Sequence, residues 1–150
     1  MNRRSFIQTS IAATACTPSI IKAANTNSNI QHACIGVGGM MGYNDYKNIS
    51  SHSNTKVVAI CDVDKNHLDR VAKEVPEARK YTDWRKLIAK EGDKIDSVNV
   101  TVPDHMHFPI AVNAVRAKKH VYCQKPLCHD VAEVRSLTES TKKSGVKTQL

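Results

Sequence analysis

The sequence predicts an α/β protein built on a doubly wound parallel sheet. Three observations lead there. Short apolar runs recur six times, and segments with helical spacing separate them. The longer runs lack the polar alternation of a half-exposed strand, so they belong in a sheet covered on both faces. The 150 residues are 41% hydrophobic and 24% charged, an ordinary balance for one domain with a proper core.

Each element has its own signal. "HACIGV" (32–37) reads as the first strand, and a glycine-rich turn leads into a helix over 40–51. "KVVAICDV" (56–63) is the second strand. Leu68, Val71, Ala72 and Val75 then recur at helical spacing until Pro76 stops them. "ARKYT" (78–82) is a short third strand, and Thr82 is placed to cap the helix that carries Trp84, Leu87 and Ile88. "IDSVNVTV" (95–102) is the fourth strand. Pro109 suits the first turn of the next helix, whose apolar face holds Ile110, Ala111, Ala114 and Val115. "HVYC" (120–123) is the fifth strand. Asp130 and Glu133 have the spacing of a capping box and open the last helix, and "VKTQL" (146–150) begins a sixth strand.

The first residues lie outside this globule. Arg3 and Arg4 precede the apolar pair Phe6 and Ile7, residues 5–21 carry no charge, and Ala23 and Ala24 supply small residues near a cleavage point. That is the pattern of a twin-arginine export signal over 1–24, which predicts a periplasmic or otherwise extracytoplasmic location. An amphipathic first helix is the competing reading, and the charge-free circumference argues against it. A lipid anchor at Cys16 lacks the usual leucine ahead of the cysteine. Residues 25–30 form a polar linker, and 31–150 form the domain. No apolar run is long enough to span a membrane.

The net charge of +8 includes Arg3, Arg4 and Lys22; without them 19 basic residues face 14 acidic ones. Those charges are spread along helical segments, and no aromatic stripe interleaves with them, so a nucleic-acid partner is not expected. The five cysteines (16, 34, 61, 123 and 128) form no CxxC pair, which excludes a disulfide scaffold and makes Cys123 and Cys128 packing residues. His105, His107 and His129 have no ligand spacing that completes a metal site, so none is expected.

The chemistry lies in two segments. Gly36, Gly38 and Gly39 follow the first strand and open a helix. The first glycine permits a tight turn, and the second lets backbone N–H groups approach a pyrophosphate at the helix N-terminus. The third glycine of the G-x-G-x-x-G spacing falls on Met41, with Gly42 one residue later. Asp62 ends the second strand, where a carboxylate accepts hydrogen bonds from an adenosine ribose and repels a 2′-phosphate. NAD is therefore favoured as cofactor, with nearby Lys65 keeping NADP open. "TVPDHMH" (101–107) and "QKPL" (124–127) end the fourth and fifth strands, on the same rim as the glycine turn.

On "VAICDVD", "YTDWRKLI", "IDSVNVTVPDHMHFPIAVNAVRAKKHVYCQKPL" and "GVKTQ", residues 31–150 resemble the glucose–fructose oxidoreductase / inositol dehydrogenase / MocA family. The resemblance implies a Rossmann domain followed by an α+β substrate domain beyond residue 150. It implies hydride transfer between a nicotinamide and the hydroxyl of a sugar or cyclitol. Lys125 matches the lysine of the family's E-K-P motif, which sits by the nicotinamide and the reacting hydroxyl, so it is the catalytic candidate. Gln124 replaces the glutamate, and Lys125–Pro126 is expected to be cis.

The cofactor-binding candidates are Gly36, Gly38, Gly39, Met40 and Met41 in the turn, and Asp62 and Val63 after the second strand. Thr101, Val102, Pro103 and His107 follow the fourth strand, and Gln124 and Lys125 follow the fifth. The resemblance further implies that this polypeptide is an N-terminal part, inactive alone, and oligomeric only with the absent domain. Two rival readings are a glycoside hydrolase of the same fold that uses NAD transiently, and a non-catalytic dinucleotide-binding remnant.

Overall fold

The computed structural model describes residues 29–150; the expected export signal and most of the linker lie outside the described residues. Six parallel strands form one sheet: β1 (Ile30–Ile35), β2 (Thr55–Cys61), β3 (Arg79–Tyr81), β4 (Ser97–Val100), β5 (His120–Cys123) and β6 (Thr148–Gln149). Their order is β3-β2-β1-β4-β5-β6. The strand order reverses between β1 and β4, which makes the doubly wound arrangement expected from the sequence.

Five helices connect the strands: α1 (Gly39–Ser50), α2 (Lys65–Ala72), α3 (Trp84–Glu91), α4 (His107–Arg116) and α5 (Val131–Ser144). Alternate strand residues feed two cores. Ala33, Ile35, Val98, Val100 and Val121 pack with Leu87 of α3, Ile110 and Val115 of α4, and Leu137 of α5. Cys34, Val57 and Ile60 pack with Tyr46 of α1 and Leu68 and Val71 of α2. The register of β1 against β2 slips after His32, so Val58 and Ala59 both join the first core. Among the described residues no helix is long and apolar enough to cross a membrane.

Two sequence expectations need correction. The first strand runs over Ile30–Ile35 rather than 32–37, because Gly36 has φ +83° and turns the chain out of the sheet. The cap of α3 is Asp83, not Thr82: its backbone is extended and its carboxylate accepts from the Arg85 N–H at 2.9 Å. Asp130 does cap α5 through the Glu133 N–H, and Glu133 reaches back to the His129 N–H, one residue before the cap.

The short edge strand β3 is tied down by one carboxylate. Glu91, at the end of α3, is 1% exposed; it accepts from Arg79 Nε at 2.7 Å and from the Tyr81 hydroxyl. Burial pushes its carboxyl up, but the hydrogen bonds from Arg79 and Tyr81 outweigh this and hold it below the usual range. Its stabilising contribution is therefore full above the ordinary carboxylate range and lost as pH falls through the lowered value. Glu91→Ala is expected to cost about 2–4 kcal/mol in urea unfolding at neutral pH, since it leaves Arg79 and Tyr81 without their acceptor. An unchanged midpoint would show that the edge strand is held by its pairing with β2 and by packing, without Glu91.

Candidate functional site

Because all six strands are parallel, their carboxyl ends share one rim, and the turns after β1, β2, β4 and β5 meet there. The turn after β1 is built by close approach. Gly36 N–H donates to Cys61 O at 2.8 Å, and a Cβ at residue 36 would lie 2.0 Å from Thr101 O. A Cβ on Gly42 would lie 2.6 Å from Gly36 O, so α1 rests directly on the turn. The helix-packing glycine is thus Gly42 rather than residue 41. Gly39, the first residue of α1, has φ +59°. Met40 and Met41 are 76% and 44% exposed on the outer side.

Among the described residues, three of the five helices start at a carboxylate cap, and α4, which follows the 3-10 turn Asp104–Met106, has no side-chain cap. Asp64, Asp83 and Asp130 cap α2, α3 and α5 with their carboxylates. Helix α1 has Gly38 at its N-cap position, with no side-chain cap and no acid in its first turn. The first amides of a helix have no partner within it, so this N-terminus is open to an external anion. Gly38 has no room for a side chain, since a Cβ there would meet His67 Nδ1 at 2.1 Å and Asp62 Oδ2 at 2.9 Å. An uncapped N-terminus behind a turn that excludes side chains fits a dinucleotide pyrophosphate.

Asp62 lies across that turn. Its Oδ2 accepts from the Val37 and Gly38 amides at 3.0 and 2.7 Å, and its Oδ1 accepts from the Asp64 amide at 2.9 Å. The carboxylate therefore shapes the turn. Val63 beside it is 87% exposed. His67, in the first turn of α2, flanks the same space.

After β4, the Thr101 hydroxyl donates to Asp45 Oδ2 at 2.7 Å, Val102 is half-buried and Pro103 is exposed. His107 is 1% exposed, and its ring nitrogens face the carbonyls of Val102 and Pro126. It braces the loop after β4 against the turn after β5 and does not project into the open rim. In that second turn the Gln124 amide donates to Val100 O at 2.9 Å, Lys125–Pro126 is cis, and the Lys125 side chain is exposed.

The four cysteines among the described residues are buried and unpaired. Burial pushes the Cys61 and Cys123 thiols up to about 12, which makes them poor nucleophiles. Among the described residues, no three His, Cys, Asp or Glu side chains come together as metal ligands. His67, Asp45 and the packing role of Gly42 were missed from sequence; of these, only Gly42 had a local signal, as a glycine one residue out of phase.

A family model described as an oxidoreductase family with an NAD-binding Rossmann fold matches residues 30–150. The chain belongs to the Gfo/Idh/MocA oxidoreductase family. It is 32% identical over 114 residues to a myo-inositol 2-dehydrogenase of Thermotoga maritima, covering 75% of this chain and 34% of that protein. An inositol 2-dehydrogenase of Salmonella paratyphi B is 32% identical over 117 residues, covering 74% of this chain and 33% of its own. A solved myo-inositol 2-dehydrogenase from Lactobacillus plantarum superposes with a TM-score of 0.75 at 27% identity, covering 81% of this chain and 36% of that one. The chain thus spans about a third of the length of these Gfo/Idh/MocA relatives. Within the family this is the NAD-binding Rossmann domain.

Proposed function

We propose that this chain is the cofactor-binding part of an exported oxidoreductase that moves hydride between NAD and a hydroxyl of a sugar or cyclitol. The close-packed glycine turn after β1, which leads into the uncapped N-terminus of α1, carries the cofactor half of the reading. The substrate class is supported by the inositol dehydrogenases among the relatives. Export rests on the twin arginines and uncharged segment of residues 1–24. A pathway that moves folded proteins suits a domain that must load its cofactor before it leaves the cytoplasm.

Bound NAD supplies the hydride acceptor. The chain's own residues would do the rest as follows. The α1 amides would hold the pyrophosphate, and Asp62 would accept from the adenosine ribose. Lys125 would hydrogen-bond the reacting hydroxyl oxygen and help its proton leave. His107 would fix the spacing between the two loops that flank the nicotinamide end.

Titration calorimetry on the 150-residue chain tests the cofactor claim. NAD should bind more tightly than NADP, and no heat with millimolar NAD would sink the reading. Asp62→Ala is expected to weaken NAD about tenfold or more, as loss of a charged hydrogen-bond acceptor does. Asp62 also ties the turn, so a general loss of stability is expected with it. The ribose role is read from the ratio: Asp62→Ser should raise NADP affinity relative to NAD. An unchanged ratio would leave Asp62 as a turn residue only.

A further inference from the structure

A chain of hydrogen bonds crosses the sheet beneath the rim and ends at the Lys125 turn. The Ser97 hydroxyl meets His32 Nδ1 at 2.7 Å, and His32 Nε2 meets Asn99 Oδ1 at 3.2 Å. Asn99 Nδ2 donates to Thr101 Oγ1 at 3.1 Å, and Thr101 donates onward to Asp45 Oδ2 at 2.7 Å. From the other side, Gln124 Nε2 donates to the same Asp45 oxygen at 3.2 Å. Gln124 Oε1 then accepts from the Lys125 backbone N–H at 2.9 Å.

The direction of these bonds has one solution. A carboxylate only accepts, so both Thr101 and Gln124 must donate to Asp45. Thr101 has then spent its proton and must accept from Asn99, which turns the Asn99 oxygen toward His32. The Gln124 amide is fixed in the same way, nitrogen toward Asp45 and oxygen toward the Lys125 backbone. Asp45 is 9% exposed on α1, so water competes weakly for it. It is the sink at which every donor ends.

We propose that Asp45 is the positioning residue of the Lys125 turn, acting through the Gln124 amide, and that it is the reason residue 124 carries an amide here. This rests on the NAD reading above. A glutamate at 124 would bring a second carboxylate within hydrogen-bond distance of Asp45, and two such groups cannot both stay ionised without strong repulsion.

A swap cycle on the 150-residue chain tests this, with NAD and ADP as probes and thermal unfolding as a second readout. ADP lacks the nicotinamide end, so it reports on the glycine turn and Asp62 alone. Q124E is expected to lower the unfolding midpoint by about 5–10 °C. It should also weaken NAD about tenfold while leaving ADP within about twofold. D45N/Q124E, which moves the carboxylate across the pair, should recover most of both losses. A merely structural pair would change NAD and ADP together. Should Q124E fail to fold, D45N alone carries the test, with NAD weakened and ADP unchanged. Wild-type NAD affinity in Q124E, or a double variant equal to the sum of the singles, overturns the proposal. If the wild-type chain binds no NAD, the cofactor reading fails separately. A rescued midpoint then still establishes the Asp45–Gln124 pairing, and an additive one overturns it.

Discussion

Gly36→Ala is expected to lower the free energy of unfolding by about 4 kcal/mol, from two sources that act together. The backbone at Gly36 has φ +83°, in the left-handed region where a side chain costs about 1–3 kcal/mol. The new methyl would also lie 2.0 Å from Thr101 O and 2.9 Å from Val102 Cγ1. The first neighbour is backbone and cannot swing aside. Relief requires β1 and the loop after β4 to separate, at an overpacking cost of about 1–3 kcal/mol. Those two segments are joined by the Thr101 N–H to Ile35 O bond of 2.9 Å at the switch point of the sheet. Urea unfolding reads the loss, and domains of this kind have only about 5–15 kcal/mol to lose. Gly39→Ala supplies the contrast: its φ is +59°, but nothing lies within 4 Å of the added Cβ, so only the backbone part should appear. Equal losses at the two positions would mean that crowding at Thr101 contributes nothing.

The same positions show what a sequence can carry. The sheet was legible because parallel strands are buried on both faces and so announce themselves as apolar runs. Their ends were not. Ile95 reads as strand and is indeed 2% exposed, but it fills the core from the loop before β4. Thr82 and Asp83 are both good caps, and only the backbone decides which one stands outside the helix.

The site divides along the same line. Gly36, Gly38 and Asp62 were singled out because the chemistry demands those residue types beside strand ends, and Lys125 because it matches the lysine of the motif the chain resembles. Asp45 gave no such signal. It sits mid-helix among polar residues, and its partner Gln124 is 79 positions away in the chain. Nothing local distinguishes a buried carboxylate that organises two loops from one that faces water. His107 shows the converse. Its place in "PDHMH" suggested a contact with cofactor, whereas its ring is spent on two backbone carbonyls.

His32 extends that polar chain into a dependence on pH. Burial pushes its pKa from 6.5 down to about 4, with the Asn99 hydrogen bond acting in the opposite direction. The hydrogen-bond directions agree with a neutral ring that accepts from Ser97 and donates to Asn99. In the unfolded chain the imidazole takes up a proton near its ordinary 6.5, while the folded chain refuses it until about 4. Unfolding is therefore favoured by acid over that interval. The stability His32 contributes is complete above 6.5 and is lost as pH falls toward 4, by about 3 kcal/mol in all. His32→Gln keeps a donor for Asn99 and cannot titrate. It should be less stable than the native chain at pH 7.5, and the two curves should converge on acidification. The lowered carboxylates of Asp69, Glu74 and Glu91 are common to both proteins and cancel in the difference. Urea unfolding at intervals between pH 4 and 7.5 measures that difference directly. A constant offset between the two proteins would show that the ring is hydrated enough to charge in place, and the polar chain would then not be sealed at its far end.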